Sequence, residues 1–388
     1  MYRPSGLIDV MRSPMTDTMN EFTPDYAVHP GTYLDDVLES REISKSDFAQ
    51  RCELSPKTVS QIINGHSTFS SEVALQFETV LGISADIWMN LVASYQLHQA
   101  REEEESRLRS WAEWADQFPL ADMRKHGIIG RKDSRYEWVR RILSFFGVSS
   151  PEAWEQVYGK PAAAYRKSQS LEASRFALAT WLRLAEDQAT RVVTAAHDAA
   201  RLRVVIDEIR SLTREDPLVS VPRTRELCAS AGVALVFVPD VKGARVSGAT
   251  KWLSPAKAMV AQSCRHKSDD HYWFTLFHEL GHVLLHGKKE VFVDEFDGAE
   301  SEKERQADRF AREHLVPKRS YSEFLARGSL YPEEIAEFAH ELEIAPGIVV
   351  GMLQHDKRLP YSWANGLKRR LELQSDTRGS GNVSEDER

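Results

Sequence analysis

Residues 278–282 read HELGH, and their types and spacing are those of a metal-dependent hydrolase site. Side chains four residues apart lie on one face of an α-helix, so a helix here would let His278 and His282 reach the same tetrahedral metal ion. Glu279, between them, would face the open coordination position as a general base. Apolar residues flank the run on both sides and favour a buried helix. We therefore predict a zinc site with His278 and His282 as ligands and Glu279 as the catalytic base.

A third ligand is expected from a neighbouring helix, and residues 304–311, ERQADRFA, show a second amphipathic helical pattern a short distance downstream. We assign Glu304 as this third zinc ligand. Asp308 lies one turn later on the same face, where it could accept a hydrogen bond from the second nitrogen of His278 or His282 and fix the ring direction. Glu304 and Asp308 resemble the Glu-x-x-x-Asp element of thermolysin-like gluzincins. The alternative, two core histidines and a solvated acidic face, leaves the register of all four residues unexplained.

Four other residues could take part in the chemistry, and each has a simpler interpretation. His286 shares the ligand face, but Gly287 follows it, so we expect it to end the helix and not to bind metal. Cys264 could cap the zinc until it is oxidised, whereas a buried free thiol is the simpler interpretation. His355 and Asp356 could stabilise an oxyanion, whereas an exposed helix end is the simpler interpretation for this pair.

Length and composition predict a globular protein of two or three domains, with 388 residues and 42% apolar content. No apolar run approaches the roughly 18 residues of a membrane span, and the first residues lead into a polar segment, so we expect a cytoplasmic protein with no membrane partner. Three cysteines without a CxxC pair argue against a disulfide framework and a cysteine zinc cluster. The net charge of −8 gives no general affinity for polyanions, so any nucleic-acid contact must come from a local surface.

Residues 43–65, ISKSDFAQRCELSPKTVSQIING, offer such a surface. Ser44 is typical of a helix N-cap, Ser55 before Pro56 is typical of a second, and Gly65 would end that second helix. The apolar residues between these breaks would share a core, namely Phe48, Ala49, Leu54, Val59, Ile62 and Ile63. The polar side chains left outward could bond to phosphates and base edges in a major groove. We predict DNA contacts by Lys45, Ser55, Lys57, Thr58, Ser60, Gln61 and Asn64.

This segment is similar to the Cro/repressor (XRE-type) helix-turn-helix class. More narrowly it resembles the HigA-like antitoxins, whose domains open like HPG at 29–31 and continue like IING at 62–65 and IWMNL at 87–91. The resemblance implies binding to a double-stranded DNA operator. Lys45 stands where this class commonly carries a glutamine, and it could meet a phosphate instead. Residues 29–100 hold more acids than bases, so a helical docking module that does not bind DNA is the alternative.

The rest of the chain reads as helices around a small sheet. Between 101 and about 215 the pattern is helical and contains no catalytic constellation, while 233–239 and 258–261 are strand-like. Residues 245–253 could form an edge strand beside the metal that pairs with an extended peptide, with Gly248 allowing close backbone approach, or they could form a plain surface hairpin.

These patterns predict a mostly α fold with one small α+β domain. The expected divisions are a flexible amino terminus at 1–24, a five-helix helix-turn-helix domain at 25–100, a helical linker or dimerisation region at 101–220, a gluzincin-like zinc metallopeptidase domain with a small sheet at 221–358, and a C-terminal helix and disordered tail at 359–388.

The carboxy-terminal patterns together closely resemble the ImmA/IrrE metallopeptidase family over residues 223–353. The resemblance rests on the predicted sheet, the HELGH run, residues 304–311 and LVP at 315–317. Members of this family are zinc-dependent proteases that typically cleave a helix-turn-helix repressor and so control phage, mobile-element or stress genes. The resemblance implies the same three ligands and the same base as the spacing does.

Two functions follow as hypotheses. The first is a DNA-binding transcriptional regulator fused to a zinc endopeptidase that cleaves a repressor partner or itself. The alternative is a HigA-like antitoxin or transcriptional repressor whose metal-binding domain is not catalytic. The expected partners are operator DNA, a protein substrate of the helix-turn-helix class, a toxin in the antitoxin alternative, and a second copy of the chain as a homodimer.

Overall fold

The computed structural model describes residues 28–159, 174–265, 267–288, 291–295, 301–371 and 373. The chain forms two compact units, Met1–Arg107 and Leu108–Arg388. The predicted flexible amino terminus at 1–24 and the predicted disordered tail from Ser375 lie outside the described residues.

The first unit contains the five helices that the sequence predicts. They are α1 Pro30–Ser40, α2 Lys45–Arg51, α3 Pro56–Ile63, α4 Ser71–Leu81 and α5 Ala85–Ser110, the last of which continues past the end of the unit. Phe48, Val59, Ile62, Phe77 and Trp88 are buried in a shared core. This core forms because the apolar residues of each short helix recur on one face.

Side-chain caps set the bounds of the two central helices. Ser44 accepts a hydrogen bond from the backbone N–H of Asp47 at 3.1 Å, and Ser55 accepts one from that of Thr58 at 3.0 Å. A side chain at Gly31 would collide with the carbonyl oxygen of Ile62, so glycine lets the start of α1 approach the end of α3. The breaks predicted from the sequence are therefore those of the structure.

The second unit begins with helices and continues into a sheet. The helices before the sheet are α6 Ala112–Ala115, α7 Leu120–Lys125, α8 Arg135–Phe146, α9 Pro151–Trp154 with a π-helical turn Glu155–Gly159, α10 Ser174–Arg191, α11 Ala199–Ser211 with a 3₁₀ turn Leu212–Arg214, and α12 Pro217–Ser230. The strands are β1 Val233–Val238, β2 Val246–Ser254, β3 Lys257–Ser263 and β4 Val291–Glu295. The remaining helices are α13 Asp269–Leu285, α14 Glu302–Leu315, α15 Lys318–Ala326, α16 Pro332–Glu341 and α17 Pro346–His355, followed by a 3₁₀ turn Asn365–Leu367.

The four strands lie in the order β1-β3-β2-β4. β1 is parallel to β3, whereas β2 is antiparallel to both β3 and β4. All six residues of β1 are buried, and successive side chains point to opposite faces. Val233, Leu235 and Phe237 enter one core with α11 to α17, while Ala234, Val236 and Val238 enter a second core with α6 to α10.

The middle region, which the sequence predicts to be a helical linker or dimerisation region, packs against the sheet. Its helices α6 to α10 form the second core with the sheet, and the compact unit begins at Leu108. The physical reason is the apolar run of β1, which needs cover on both faces. A role in dimerisation stays a prediction. The described residues after 359 contain the 3₁₀ turn Asn365–Leu367, and the C-terminal helix stays a prediction.

A backbone segment near the carboxy terminus, residues 368–371, holds the start of α13. The N–H of Asp269 donates to the carbonyl of Arg369, and the N–H of Arg369 donates back to Asp269 Oδ1, both at 3.0 Å. Lys368 Nζ lies 2.6 Å from Asp270 Oδ2. Asp269 and Asp270 are both buried. Two buried carboxylates thus anchor the helix that carries the HELGH run.

Burial raises the pKa of Asp269 from 3.8 to about 6, despite the backbone hydrogen bonds that it accepts from Arg369 and Asp270. The folded protein therefore holds this proton more tightly than the unfolded chain does. The resulting stabilisation is complete below about pH 4 and is lost as the pH rises through 6.

Asp269→Asn keeps an acceptor for both backbone N–H groups and removes the buried charge. We expect the difference in free energy of unfolding, variant minus wild type, to be about 1–2 kcal/mol larger at pH 8 than at pH 5, since one pKa unit corresponds to about 1.4 kcal/mol. Thermal unfolding followed by circular dichroism at both pH values measures this difference. Asp240→Asn, at an exposed aspartate, is the matched control. An equal effect of Asp269→Asn at both pH values would contradict the prediction.

Candidate metal centre and helix-turn-helix surface

Three side-chain atoms form a triangle where α13 meets α14. His278 Nε2 lies 3.0 Å from His282 Nε2 and 3.1 Å from Glu304 Oε2, and His282 Nε2 lies 3.2 Å from the same oxygen. Ligands bound to zinc at about 2.0–2.1 Å in a tetrahedron lie roughly 3.3–3.4 Å apart. Within the described parts of the chain, these three residues are the one group of His, Cys, Asp or Glu side chains with this geometry. The donor set, two imidazoles and one carboxylate, fits a catalytic zinc ion.

Close packing of two helices produces this triangle. A side chain at Gly281 would press against the ring of Phe310, so the absence of one lets α14 approach α13. Ser301 caps α14 by accepting a hydrogen bond from the N–H of Glu304 at 3.2 Å. The cap places Glu304 in the first turn of α14, opposite His278 and His282.

Both histidines have a partner on the nitrogen that faces away from the triangle. His278 Nδ1 lies 2.8 Å from Asp308 Oδ1, so its N–H donates to the carboxylate and the unprotonated Nε2 can bind a metal. His282 Nδ1 lies 2.9 Å from His286 Nδ1, whose Nε2 lies 3.2 Å from Gln306 Oε1. Hydrogen bonds running from His282 to His286 to Gln306 orient the second ligand in the same way.

The structure selects between the alternatives for these supporting residues. Asp308 serves His278 and not His282. His286 follows the last residue of α13 and donates its backbone N–H to His282, as a helix-ending residue does. Its contact with the ring of His282, and the stacking of Phe292 on that ring at 4.1 Å between centroids, were not foreseen from the sequence. The spacing of His286 four residues after His282 was the available signal for the first contact.

Electrostatics favour the charge states that a metal site needs. Burial lowers the pKa of His282, which favours the neutral imidazole. Burial alone would raise the pKa of Glu304, but the close contacts of its carboxylate with His278 and His282 outweigh burial and lower that pKa to about 2. Neutral imidazoles and an ionised carboxylate are the ligand forms that bind zinc.

Glu279 is fully buried and faces β2. Its Oε2 lies 2.6 Å from the hydroxyl of Thr250, and a side chain at Gly248 would collide with its Oε1. The close backbone approach expected at Gly248 is therefore present. However, β2 is neither an edge strand nor a plain surface hairpin, because β3 and β4 pair with its two sides. The edge strand next to β2 is β4, which returns to the sheet after α13, and β1 forms the opposite edge.

Three further candidates lie apart from the triangle. The metal-binding group in the described residues includes no cysteine, and Cys264 is partly buried against an apolar core. Asp356 forms two hydrogen bonds with Arg312, at 3.0 and 2.6 Å, and accepts a third from Tyr321. The side chain of His355 is 75% exposed at the end of α17. The exposed helix end therefore describes His355, whereas Asp356 is half-buried and held by Arg312 and Tyr321, and Cys264 is half-buried.

The predicted DNA-contact residues lie on or beside α2 and α3. Lys57, Ser60, Gln61 and Asn64 are exposed along α3 and at its end, and Asn64 Nδ2 donates to Ser60 Oγ at 3.2 Å. Thr58 is half-buried and lies 2.8 Å from the hydroxyl of Ser55, so both take part in the cap. Lys45 forms an ion pair with Asp35 at 2.8 Å. Except for the half-buried Thr58, the predicted contact residues are therefore all exposed.

In the described part of the chain, every helix is too short or too polar to cross a membrane.

Two family models match the chain. One, described as a helix-turn-helix, matches residues 34–88, and the other, the IrrE N-terminal-like domain of the M78 peptidases, matches residues 250–353. The first match covers the last seven residues of α1, all of α2 to α4 and the start of α5. The second covers the triangle, Glu279, Asp308 and most of β2.

Several known proteins are similar to the helix-turn-helix part of the chain. An uncharacterized HTH-type transcriptional regulator of Escherichia coli, YddM, is 31% identical over 81 residues, which are 21% of this chain and 86% of the relative. The crystal structure of a putative antidote protein of a plasmid maintenance system from Nostoc punctiforme is 25% identical in sequence. The match covers 22% of this chain and 92% of the antidote protein, with a TM-score of 0.21. PA4674 of Pseudomonas aeruginosa, crystallised with its operator DNA, is 29% identical in sequence. The match covers 21% of this chain and 91% of PA4674, with a TM-score of 0.21.

The chain thus belongs to the XRE-type helix-turn-helix regulators through residues 34–88, and it joins that domain to an IrrE N-terminal-like peptidase domain at residues 250–353.

Proposed function

We propose that this protein is a DNA-binding transcriptional regulator whose carboxy-terminal unit is a zinc-dependent endopeptidase. The observation that carries the proposal is the triangle of His278, His282 and Glu304, with the buried carboxylate of Glu279 on the same helix as the two histidines. A cluster of core histidines would need no such convergence of three ligand atoms beside an additional carboxylate.

The proposed mechanism assigns one role to each residue. His278, His282 and Glu304 would hold the zinc ion, and Asp308 and His286 would keep the two imidazoles in the ligating tautomer. Zinc supplies Lewis acidity, which polarises a peptide carbonyl and increases the acidity of water. Glu279 would accept a proton from the attacking water on its carboxylate and then donate it to the leaving amine.

We infer the substrate class from the presence of both domains in one chain. A regulator that carries its own peptidase would reach a helix-turn-helix protein at the same operator, so we propose a repressor partner or the chain itself as the substrate. The surface of α3 would contact double-stranded operator DNA, and this role places the protein in the cytoplasm. The homodimer stays a prediction, as does a toxin partner in the antitoxin alternative.

Zinc content tests the metal site. We expect about one zinc per chain in the wild type and little in His278→Ala, because the two remaining ligands would bind the ion too weakly to retain it. Asp308→Asn should weaken zinc affinity about 10- to 100-fold, the usual effect of losing a carboxylate behind a ligating histidine. Elemental analysis and competition with a chelator measure these changes. His66→Ala, at an exposed histidine of the first unit, is the control, and equal zinc in wild type and His278→Ala would refute the site.

Cleavage tests the role of Glu279. Glu279→Ala should keep zinc and the thermal unfolding midpoint but reduce cleavage by at least about 10²-fold, since it removes the general base. The purified chain is incubated alone and with a repressor encoded beside it, and fragments are identified by mass spectrometry. Glu323→Ala, on the exposed side of α15, should cleave like the wild type. Undiminished proteolysis by Glu279→Ala would refute the mechanism.

Operator affinity tests the proposed DNA surface. Gln61→Ala should weaken specific binding about tenfold or more, because a side chain that reads a base contributes roughly 1–3 kcal/mol. Gln96→Ala, at an exposed glutamine of α5, should leave binding unchanged. Fluorescence anisotropy with DNA from the protein's own promoter measures both variants. Equal affinity of Gln61→Ala and wild type would remove α3 from the interface. Operator binding that does not change when zinc is removed, together with the absence of cleavage, would favour the antitoxin alternative.

A further inference from the structure

The hydroxyl of Thr250 binds the carboxylate of Glu279. Thr250 Oγ1 lies 2.6 Å from Glu279 Oε2 and 3.1 Å from the backbone oxygen of the same residue. The hydroxyl is the donor in both contacts, and the carboxylate and carbonyl oxygens accept. A distance of 2.6 Å is short for an O–H···O hydrogen bond. Both side chains are buried, with 1% and 0% of their surface exposed, so water does not compete for the contact.

The strand that carries Thr250 fixes the direction of this hydroxyl. Thr250 is opposite Val260 of β3 on one side and opposite Phe292 of β4 on the other. A residue paired on both sides has little backbone freedom, and the β-branched side chain of threonine is stiff about its first torsion. The sheet therefore restricts the direction in which this hydroxyl can point.

Gly248 shapes the other side of the same space. It lies two residues before Thr250 and thus on the same face of β2. A side chain at this position would collide with Glu279 Oε1 and with the methyl group of Thr275. The carboxylate of Glu279 consequently fits between α13 and β2 because position 248 has no side chain and position 250 has a hydroxyl.

We propose that Gly248 and Thr250 form a socket that positions the proposed base, with Thr250 as its positioning residue. This inference rests on the proposed role of Glu279. The Thr250 hydrogen bond holds one carboxylate oxygen against β2, which fixes the direction of the other oxygen. Without the hydroxyl, the glutamate side chain would sample other rotamers and would lose the alignment that proton transfer requires.

The test compares Thr250→Val with Thr250→Ser. Valine has almost the shape of threonine and lacks the hydroxyl, whereas serine keeps it. On a substrate that the wild type cleaves, we expect Thr250→Val to lower kcat about tenfold or more with KM within about twofold, as loss of a hydrogen bond to a charged group predicts. Thr250→Ser should recover kcat to within about threefold of the wild type. All three proteins should hold equal zinc.

A second readout does not depend on turnover. Acetohydroxamate binds zinc and gives its hydroxyl proton to a neighbouring base, so its affinity reports the position of that base. Calorimetry on the zinc-loaded proteins should give a Kd about tenfold weaker in Thr250→Val and in Glu279→Gln, and close to that of the wild type in Thr250→Ser.

The outcomes separate the two proposals. If the wild type neither cleaves protein nor binds the hydroxamate, the proposed peptidase function is wrong. If the wild type does both and Thr250→Val matches it, the function stands and the positioning role is wrong. Loss of zinc or a lower unfolding midpoint in Thr250→Val would show a structural role for Thr250 and would also overturn the positioning role.

Discussion

The close contact between α13 and α14 is the interaction on which the candidate metal site depends. Gly281 has no side chain, so Phe310 and its helix approach the helix that carries the two histidines. That approach brings Glu304 Oε2 to within 3.2 Å of both imidazoles. The same pair of helices supplies Asp308 to one histidine and Gln306, through His286, to the other. A larger residue at 281 would separate the ligands and their supporting groups together.

The sheet has a second role beyond supporting α13. Its β2 strand, paired on both sides, presents Thr250 and Gly248 to the carboxylate of Glu279. A strand in this interior position needs cover on both faces of the sheet, and α6 to α10 provide half of that cover. The long helical middle of the chain is therefore part of the scaffold that positions the candidate catalytic groups.

Charged side chains are arranged differently in the two units of this chain, whose net charge is −8. In the carboxy-terminal unit, Lys368 lies beside the buried carboxylate of Asp270, and two histidines lie beside the half-buried carboxylate of Glu304. In the amino-terminal unit, Asp35 pairs with Lys45, and α3 carries exposed uncharged polar side chains and Lys57. Local arrangement, more than total charge, decides what each surface can bind.

The sequence by itself determined the local features. The spacing of His278, Glu279 and His282 fixes their places on a helix, and the caps at Ser44 and Ser55 fix the helix-turn-helix bounds, because each depends on residues within one turn of the chain. The tertiary structure alone decided which histidine receives Asp308, which strand lies at the edge of the sheet, and that Thr250 holds Glu279. These contacts join residues about thirty positions apart, as from 250 to 279 and from 278 to 308, and no local pattern records how distant segments pack.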